Sequence, residues 1–74
     1  MTILEERRDL FGYRVKVICT DGQVIKGLWA EWWDEEDNEW LAEEGFEVCE
    51  SIMVETDKYP IEITIREIQD IQEA

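Results

Sequence analysis

The chain of 74 residues contains no histidine, a single proline and only two cysteines. Without histidine, the commonest general base and a common zinc ligand are both absent, and two cysteines alone favour neither a zinc site nor a disulfide framework. No serine or cysteine is flanked by a plausible base, and no glycine-rich phosphate loop occurs. The sequence therefore predicts a protein that is not an enzyme and that has no cofactor.

Long apolar runs are also missing. No stretch reaches five uninterrupted apolar residues, far short of a membrane span. The N-terminus reads MTILEERRDL, with acids where a secretory signal would be basic. We therefore expect a cytoplasmic protein with no membrane partner.

Basic residues are scarce, because seven Lys and Arg stand against twenty Asp and Glu, for a formal net charge of −13. A field of this sign repels phosphate backbones and attracts cations and basic proteins. A basic protein partner is one interpretation, and a mimic of nucleic-acid charge that occupies a basic DNA-binding protein is another. The acidity could equally serve solubility alone.

The first residues carry the signals of a helix. Thr2 and Glu5 form a capping-box pair, and Gly12 supplies a left-handed C-terminal position. A helix over about residues 3–11 is predicted. It is too short to be stable alone, so its apolar side chains must pack on the rest of the protein.

Period-two alternation then predicts a hairpin of strands over about 13–20 and 24–33, joined at the Asp21-Gly22 turn. A two-residue loop would mix polar and apolar side chains on one face, whereas an odd-numbered loop keeps one face apolar. The expected pairs are Cys19 with Ile25, Val17 with Gly27, and Val15 with Trp29.

Gly27 in the middle of a strand indicates a sharp bend or the close approach of another strand. Trp29 shares the inner face and is predicted to be core. Trp32 and Trp33 point in opposite directions in any regular strand, so at most one can follow Trp29 inward unless a bulge intervenes.

The second half of the chain predicts strands over about 51–56, 61–67 and 70–73. The segment 34–50, DEEDNEWLAEEGFEVCE, is predicted to be a solvated acidic loop with one helical turn stopped at Gly45. A loose cation site in this segment stays open, although EF-hand spacing fails. The predicted core consists of Val15, Val17, Ile25, Trp29, Val54, Ile63 and Ile65.

The order of a helix, a strand reading GYRVKV, a DG turn, VIKGLW with its bend glycine, and an Ile-x-x-Ile tail resembles the Sm-like (LSm) family, as a divergent bacterial-type member. The resemblance spans roughly 4–33 and 51–72. It implies one domain over 1–74, mostly β, with a small five-stranded SH3-like or Sm-like barrel and a short N-terminal α-helix. Family members commonly pair their edge strands, which implies a homo-oligomer.

The resemblance also implies an RNA site. In the family, an Asn and an Arg line the nucleotide pocket of a ring, and these roles fall here on Asn38 and Arg66. The motifs depart from the family pattern, because Asp37 stands where Met is usual and Glu67 where Gly is usual. RNA binding is therefore possible but disfavoured by the net charge.

Aromatic residues suggest a second kind of site. An aromatic surface ringed by acid would suit an anchor residue of a basic partner. Its candidate residues are Trp32, Trp33, Trp40 and Phe46. Alternatively, Trp40 and Phe46 fold the acidic segment over the barrel. Self-assembly and protein binding is the leading functional prediction, with an RNA-binding ring and the charge mimic as alternatives.

Overall fold

A computed structural model describes all 74 residues and contains five antiparallel strands in one sheet, in the order β4-β3-β2-β1-β5. The predicted mostly β fold with a short N-terminal helix is confirmed. In chain order, the elements are α1 (Ile3–Glu6), β1 (Arg14–Cys19), β2 (Val24–Trp33), α2 (Trp40–Glu43), β3 (Ser51–Glu55), β4 (Pro60–Thr64) and β5 (Ile68–Glu73). Neither four-residue α-helix has the length or apolar character needed to cross a bilayer.

The sheet is not a closed barrel, because β4 and β5 are its two edges and no ladder joins them. A 3₁₀ turn over Ile65–Glu67 carries the chain from one edge to the other, so the strand predicted over 61–67 stops at Thr64. The Glu67 carbonyl accepts a hydrogen bond from the Thr20 N–H of the β1-β2 loop (2.9 Å). The turn thus links the two edges without pairing them.

The N-terminal segment is shorter as a helix than predicted. The capping box of Thr2 and Glu5 is present, but α1 ends at Glu6 with Arg7 as its C-cap, and a separate 3₁₀ turn follows over Arg8–Leu10. The Arg7 guanidinium lies against β5, where its Nε donates to the Ile71 carbonyl (3.1 Å). A helix this short has little stability of its own, so it depends on tertiary contacts such as this one.

The β1-β2 hairpin has the expected apolar face and an odd-numbered loop, but the predicted pairs are wrong. Val17 lies opposite Ile25, and Val15 lies opposite Gly27. Gly22 has φ 92°, and its N–H donates to the Cys19 carbonyl (3.0 Å), so the loop closes over residues 20–22. The three-residue loop is thus centred on Asp21, one residue earlier than the predicted pairs require.

Strand β2 pairs with β1 over residues 24–28 and with β3 over residues 28–33, so Gly27 lies next to the point where the two ladders meet. A Cβ at Gly27 would lie 2.2 Å from the Glu55 carbonyl oxygen, so the predicted close approach of another strand is confirmed. A bulge between Trp29 and Glu31 then shifts the alternation by one residue. Trp32, rather than Trp33, therefore follows Trp29 onto the inner face.

The core lies on the inner face of this sheet, and α1 covers part of it. Its buried members are Leu4, Val15, Val17, Cys19, Trp29, Ile52, Val54, Ile63, Ile68 and Ile71. Ile25 and Ile65, which were predicted to be core, are only half-buried at its margin. The acidic segment 34–50 has its predicted helical turn, α2, and Gly45 (φ 86°) follows it.

Candidate protein-binding groove beside strand β4

The four aromatic residues predicted to form a surface divide into two groups. Trp32 packs beneath the sheet, with its ring 5.5 Å from that of Trp29 and 6.2 Å from that of Phe11. Its Nε1–H donates to the Glu50 carboxylate (3.0 Å). The ring is half-buried against the core and its polar atom has a carboxylate partner, so Trp32 is a packing residue.

Trp33, Trp40 and Phe46 belong to the opposite, outer face. Trp33 is half-buried opposite Ser51, and it lines a small cavity of about 140 Å³ together with Trp40. Trp40 and Phe46 are 49% and 65% exposed. These two rings are thus the part of the predicted surface that the fold leaves accessible.

Trp40 and Phe46 line an open groove of about 430 Å³ that runs beside β4. Leu41 and Cys49 complete its apolar lining. The polar lining consists of Glu47, Glu62, Thr64, Arg66 and Glu67. The lining of the groove is therefore partly apolar and half exposed, and its charged part consists of three carboxylates and one guanidinium.

Asn38 holds the acidic segment against the outer face of the sheet. Its side chain is 3% exposed, and its Nδ2 donates to the Cys49 carbonyl (2.8 Å) and to Ser51 Oγ (2.9 Å). Ser51 Oγ donates in turn to the Glu62 carboxylate (3.0 Å). These bonds occupy both protons of the amide, so a nucleotide base would have to displace them.

Arg66 lies at the rim of the groove, where its guanidinium pairs with the Glu47 carboxylate. Both side chains are well exposed, so the pair is solvated and weak. Asn38 and Arg66 line neighbouring cavities that share Trp40 and Glu62. Only Arg66 presents its polar group to solvent, and the RNA role of both residues stays a prediction.

The buried polar link through Asn38 and Ser51 was missed by sequence reasoning. An asparagine inside a run of acids gives no local signal of burial, because its neighbours predict a solvated loop. The one hint was chemical, since Asn38 is the only uncharged polar side chain in DEEDN. Hydrogen bonds between residues far apart in sequence cannot be read from such a hint.

Cys49 is buried at the floor of the groove. Burial raises the pKa of its thiol above the ordinary value, and Arg66 opposes this effect. A thiol with a raised pKa is mostly protonated at neutral pH and is a poor nucleophile. Cys49 thus serves as an apolar wall rather than a reactive group.

Carboxylates elsewhere on the acidic segment form no metal cage. Asp34 and Asp37 accept hydrogen bonds from each other's backbone N–H (3.1 and 3.2 Å), which closes a local turn. A shallow acidic cleft lies beside it, lined by Asp34, Glu35, Glu36 and Glu50. No group of three or more potential ligands is arranged to hold a metal ion.

The basic residues of the hairpin form a separate strip on the outer face of β1 and β2. Lys16 and Lys26 lie directly opposite each other, and Arg14 is two residues from Lys16. None of the three forms an ion pair, since the pairs in this chain are Arg7 with Asp70 and Arg66 with Glu47.

Comparisons of the chain with family models, curated proteins and solved structures gave no significant match.

Proposed function

We propose that this chain is a non-enzymatic protein-binding module of Sm-like type, and that the groove beside β4 receives an anchor side chain of a basic partner. One observation carries the proposal. The fold buries or half-buries Trp29, Trp32 and Trp33, whereas Trp40 is 49% and Phe46 65% exposed on one groove. Exposed aromatic rings that share a concave surface are the usual anchors of protein interfaces.

Charge supports a basic partner. Glu47, Glu62 and Glu67 line the groove, and only Arg66 offsets them. The net charge of −13 adds a long-range field of the same sign. Such a field steers basic proteins towards the groove and raises their association rate most strongly at low salt.

A capture experiment with matched variants tests this function. Tagged wild-type protein, a Trp40→Ala/Phe46→Ala variant and a Tyr13→Ala variant would each capture partners from native cytoplasm, with mass spectrometry of protein and nucleic acid. Tyr13 is a suitable control because it is 64% exposed but lies outside the groove. Basic proteins lost only from the groove variant support the proposal, and an identical set from all three contradicts it.

Self-assembly is the second candidate function, because β4 and β5 are edge strands with no partner in the chain. The Sm-like resemblance supports it, as do the five strands, the N-terminal helix and the close approach of β3 to Gly27. Repulsion between acidic copies opposes association, so an apolar interface should tighten as salt rises. Light scattering that shows only monomer at high salt and high protein concentration would exclude this candidate.

RNA binding has weaker support. The Asn38 amide is already bonded within the protein, and Arg66 pairs with Glu47. The hairpin strip of Arg14, Lys16 and Lys26 is the only concentration of free basic groups. The charge mimic has no support beyond the net charge, and it does not require the aromatic groove.

A further inference from the structure

The two free edges of the sheet differ in whether their main-chain groups are already bonded. On β5, the Ile71 N–H donates to Asp70 Oδ1 (2.8 Å), and the Ile71 carbonyl accepts from Arg7 Nε (3.1 Å). Arg7 and Asp70 also pair with each other (3.3 Å). A strand approaching β5 would have to displace both side chains, so this edge is capped.

The β4 edge is open. The Ile65 N–H donates to the Glu50 carbonyl (2.8 Å), next to the pair of Ser51 with Thr64. Because hydrogen-bonded and non-bonded pairs alternate along an antiparallel ladder, the N–H and C=O groups of Glu62 and Thr64 point away from β3. No side chain and no loop or turn bond takes these groups. They can pair with an added strand.

A cleft lies on each side of this open edge. The outer side holds the aromatic groove, with Glu62 and Thr64 on its wall. The inner side holds a cavity of about 430 Å³ of mixed lining, in which Ile25, Ile61 and Ile63 are apolar and Asp21 and Glu67 are charged. Since successive side chains of a strand point to opposite faces, an added strand would place alternate residues in the two clefts.

We propose that β4 accepts an extended strand of a basic partner protein in which apolar residues alternate with Lys or Arg; this rests on the function proposed above. The apolar residues enter the inner cavity. The basic residues lie over Trp40 and Phe46 and direct their charges to Glu47, Glu62 and Glu67. Long basic side chains suit such a site because the stem contacts the ring while the charge meets the carboxylate.

A second copy of the chain fits this edge poorly. The β5 edge of a copy is capped by Arg7 and Asp70. The β4 strand of a copy would bring another Glu62 into a groove that already holds three carboxylates. Each copy also carries a charge of −13. A basic strand from another protein meets none of these obstacles.

Thr64→Pro tests the proposal without breaking the β3-β4 ladder. Thr64 has φ −78° and ψ 154°, which proline adopts without strain, and its N–H lies on the open edge. Thr64→Ala is the matched control, because it also loses the hydroxyl bond to Glu67 but keeps the N–H. Circular dichroism would check that both variants fold.

The probes are labelled peptides of about eight residues, the length of an ordinary strand. One alternates Lys and Val, a second has the same composition in blocks that mix the two faces, and a third alternates Glu and Val. Fluorescence anisotropy measures binding. We expect the alternating basic peptide to bind most tightly, and its affinity to fall about tenfold in Thr64→Pro but less than about twofold in Thr64→Ala.

The outcomes separate the two proposals. Equal binding by Thr64→Pro and Thr64→Ala would overturn strand addition, while a loss confined to Trp40→Ala would still support the groove as a binding site. If Thr64→Pro, Thr64→Ala and Trp40→Ala all bind with wild-type affinity, or if the three peptides bind equally, both proposals are overturned. If sedimentation shows that the wild type self-associates and Thr64→Pro does not, a second copy occupies the edge and the basic partner strand is wrong.

Discussion

Trp29 is the residue on which the small core depends most. Its side chain is fully buried, Phe11 meets its ring edge-on at 5.4 Å, and Trp32 packs at 5.5 Å. Its Nε1–H has no hydrogen-bond partner, so its contribution comes from packing. No carboxylate bonds to Trp29, whereas Glu50 accepts from Trp32, and Asp37 lines the same cavity as Trp33 and Trp40.

Trp29→Ala should lower the free energy of unfolding by about 3–5 kcal/mol, because it leaves a large cavity in the core. A loss of this size is enough to unfold a domain of marginal stability. Urea titration followed by circular dichroism measures the effect. Trp40→Ala is the matched control and should remain folded, since that ring is half exposed; a stable Trp29→Ala variant would contradict the core placement.

Asn38→Ala should lower the free energy of unfolding by about 1–3 kcal/mol, because the Cys49 carbonyl and the Ser51 hydroxyl lose a buried partner. Denaturant titration measures this cost. Glu36→Ala, in the same segment but exposed and without a side-chain hydrogen bond, should change stability by less than about 0.5 kcal/mol. Equal effects of the two substitutions would show that Asn38 does not hold the segment.

At the scale of elements, the close approach of β2 and β3 depends on the missing side chain of Gly27. Gly27→Ala should destabilise the protein by about 1–3 kcal/mol or more, because its Cβ would lie 2.2 Å from the Glu55 carbonyl oxygen in β3. Thermal unfolding measures the loss. In Gly12→Ala the added Cβ contacts no atom, and the cost comes only from the positive φ of 89°. The loss of stability should therefore be smaller than in Gly27→Ala. The reverse order would contradict the close approach.

The contact between α1 and β5 should depend on pH through Asp70. The pKa of Asp70 lies below its ordinary value of 3.8, chiefly because the Gln72 side chain donates a hydrogen bond to its carboxylate. The Ile71 N–H and the Arg7 guanidinium also lower this pKa, and burial opposes them. A group whose pKa is lower in the folded protein stabilises it above the unfolded pKa, and this contribution is lost as pH falls through the folded value.

Asp70→Asn should therefore lower the free energy of unfolding at neutral pH, and its difference from the wild type should shrink below about pH 4. Denaturant titrations at a series of pH values measure that difference. Asp57→Asn removes the same charge from an exposed turn where Asp57 makes no ion pair or side-chain hydrogen bond, and it controls for net charge. A difference for Asp70→Asn that does not change with pH would contradict this account.

At the scale of the whole molecule, charge opposes binding of nucleic acid. Twelve acids lie between residues 31 and 57, and the only cluster of bases without an ion pair is the hairpin strip of Arg14, Lys16 and Lys26. Stacking of a base on an exposed ring contributes about 1–3 kcal/mol. Without a basic groove along the backbone, this gives millimolar affinity at best.

We expect no RNA binding tighter than about 100 μM at physiological salt. Binding should be weakest at low salt, where repulsion is least screened, which reverses the usual dependence. Anisotropy with labelled U-rich and A-rich oligonucleotides measures it. Micromolar affinity that is lost in Arg66→Ala would contradict the expectation and support the RNA function that the Sm-like resemblance implies.

Local patterns in the sequence were sufficient for the capping box at Thr2, the five strands, the apolar face of the hairpin and the role of Gly27. Each depends on residues close together in the chain, where alternation and turn chemistry act directly. Trp29 was predictable as core for the same reason, because its position on the inner face follows from the alternation in β2.

Tertiary contacts decided the rest. The bulge after Trp29 chose Trp32 for the core, the link through Asn38 and Ser51 fixed the acidic segment, and Arg7 capped β5 at Ile71. These features depend on contacts between residues far apart in the sequence, and local sequence patterns do not specify such contacts. The sequence by itself thus determined a small acidic β protein with surplus aromatic residues, while the folded chain decided which of them stay accessible and which edge stays open.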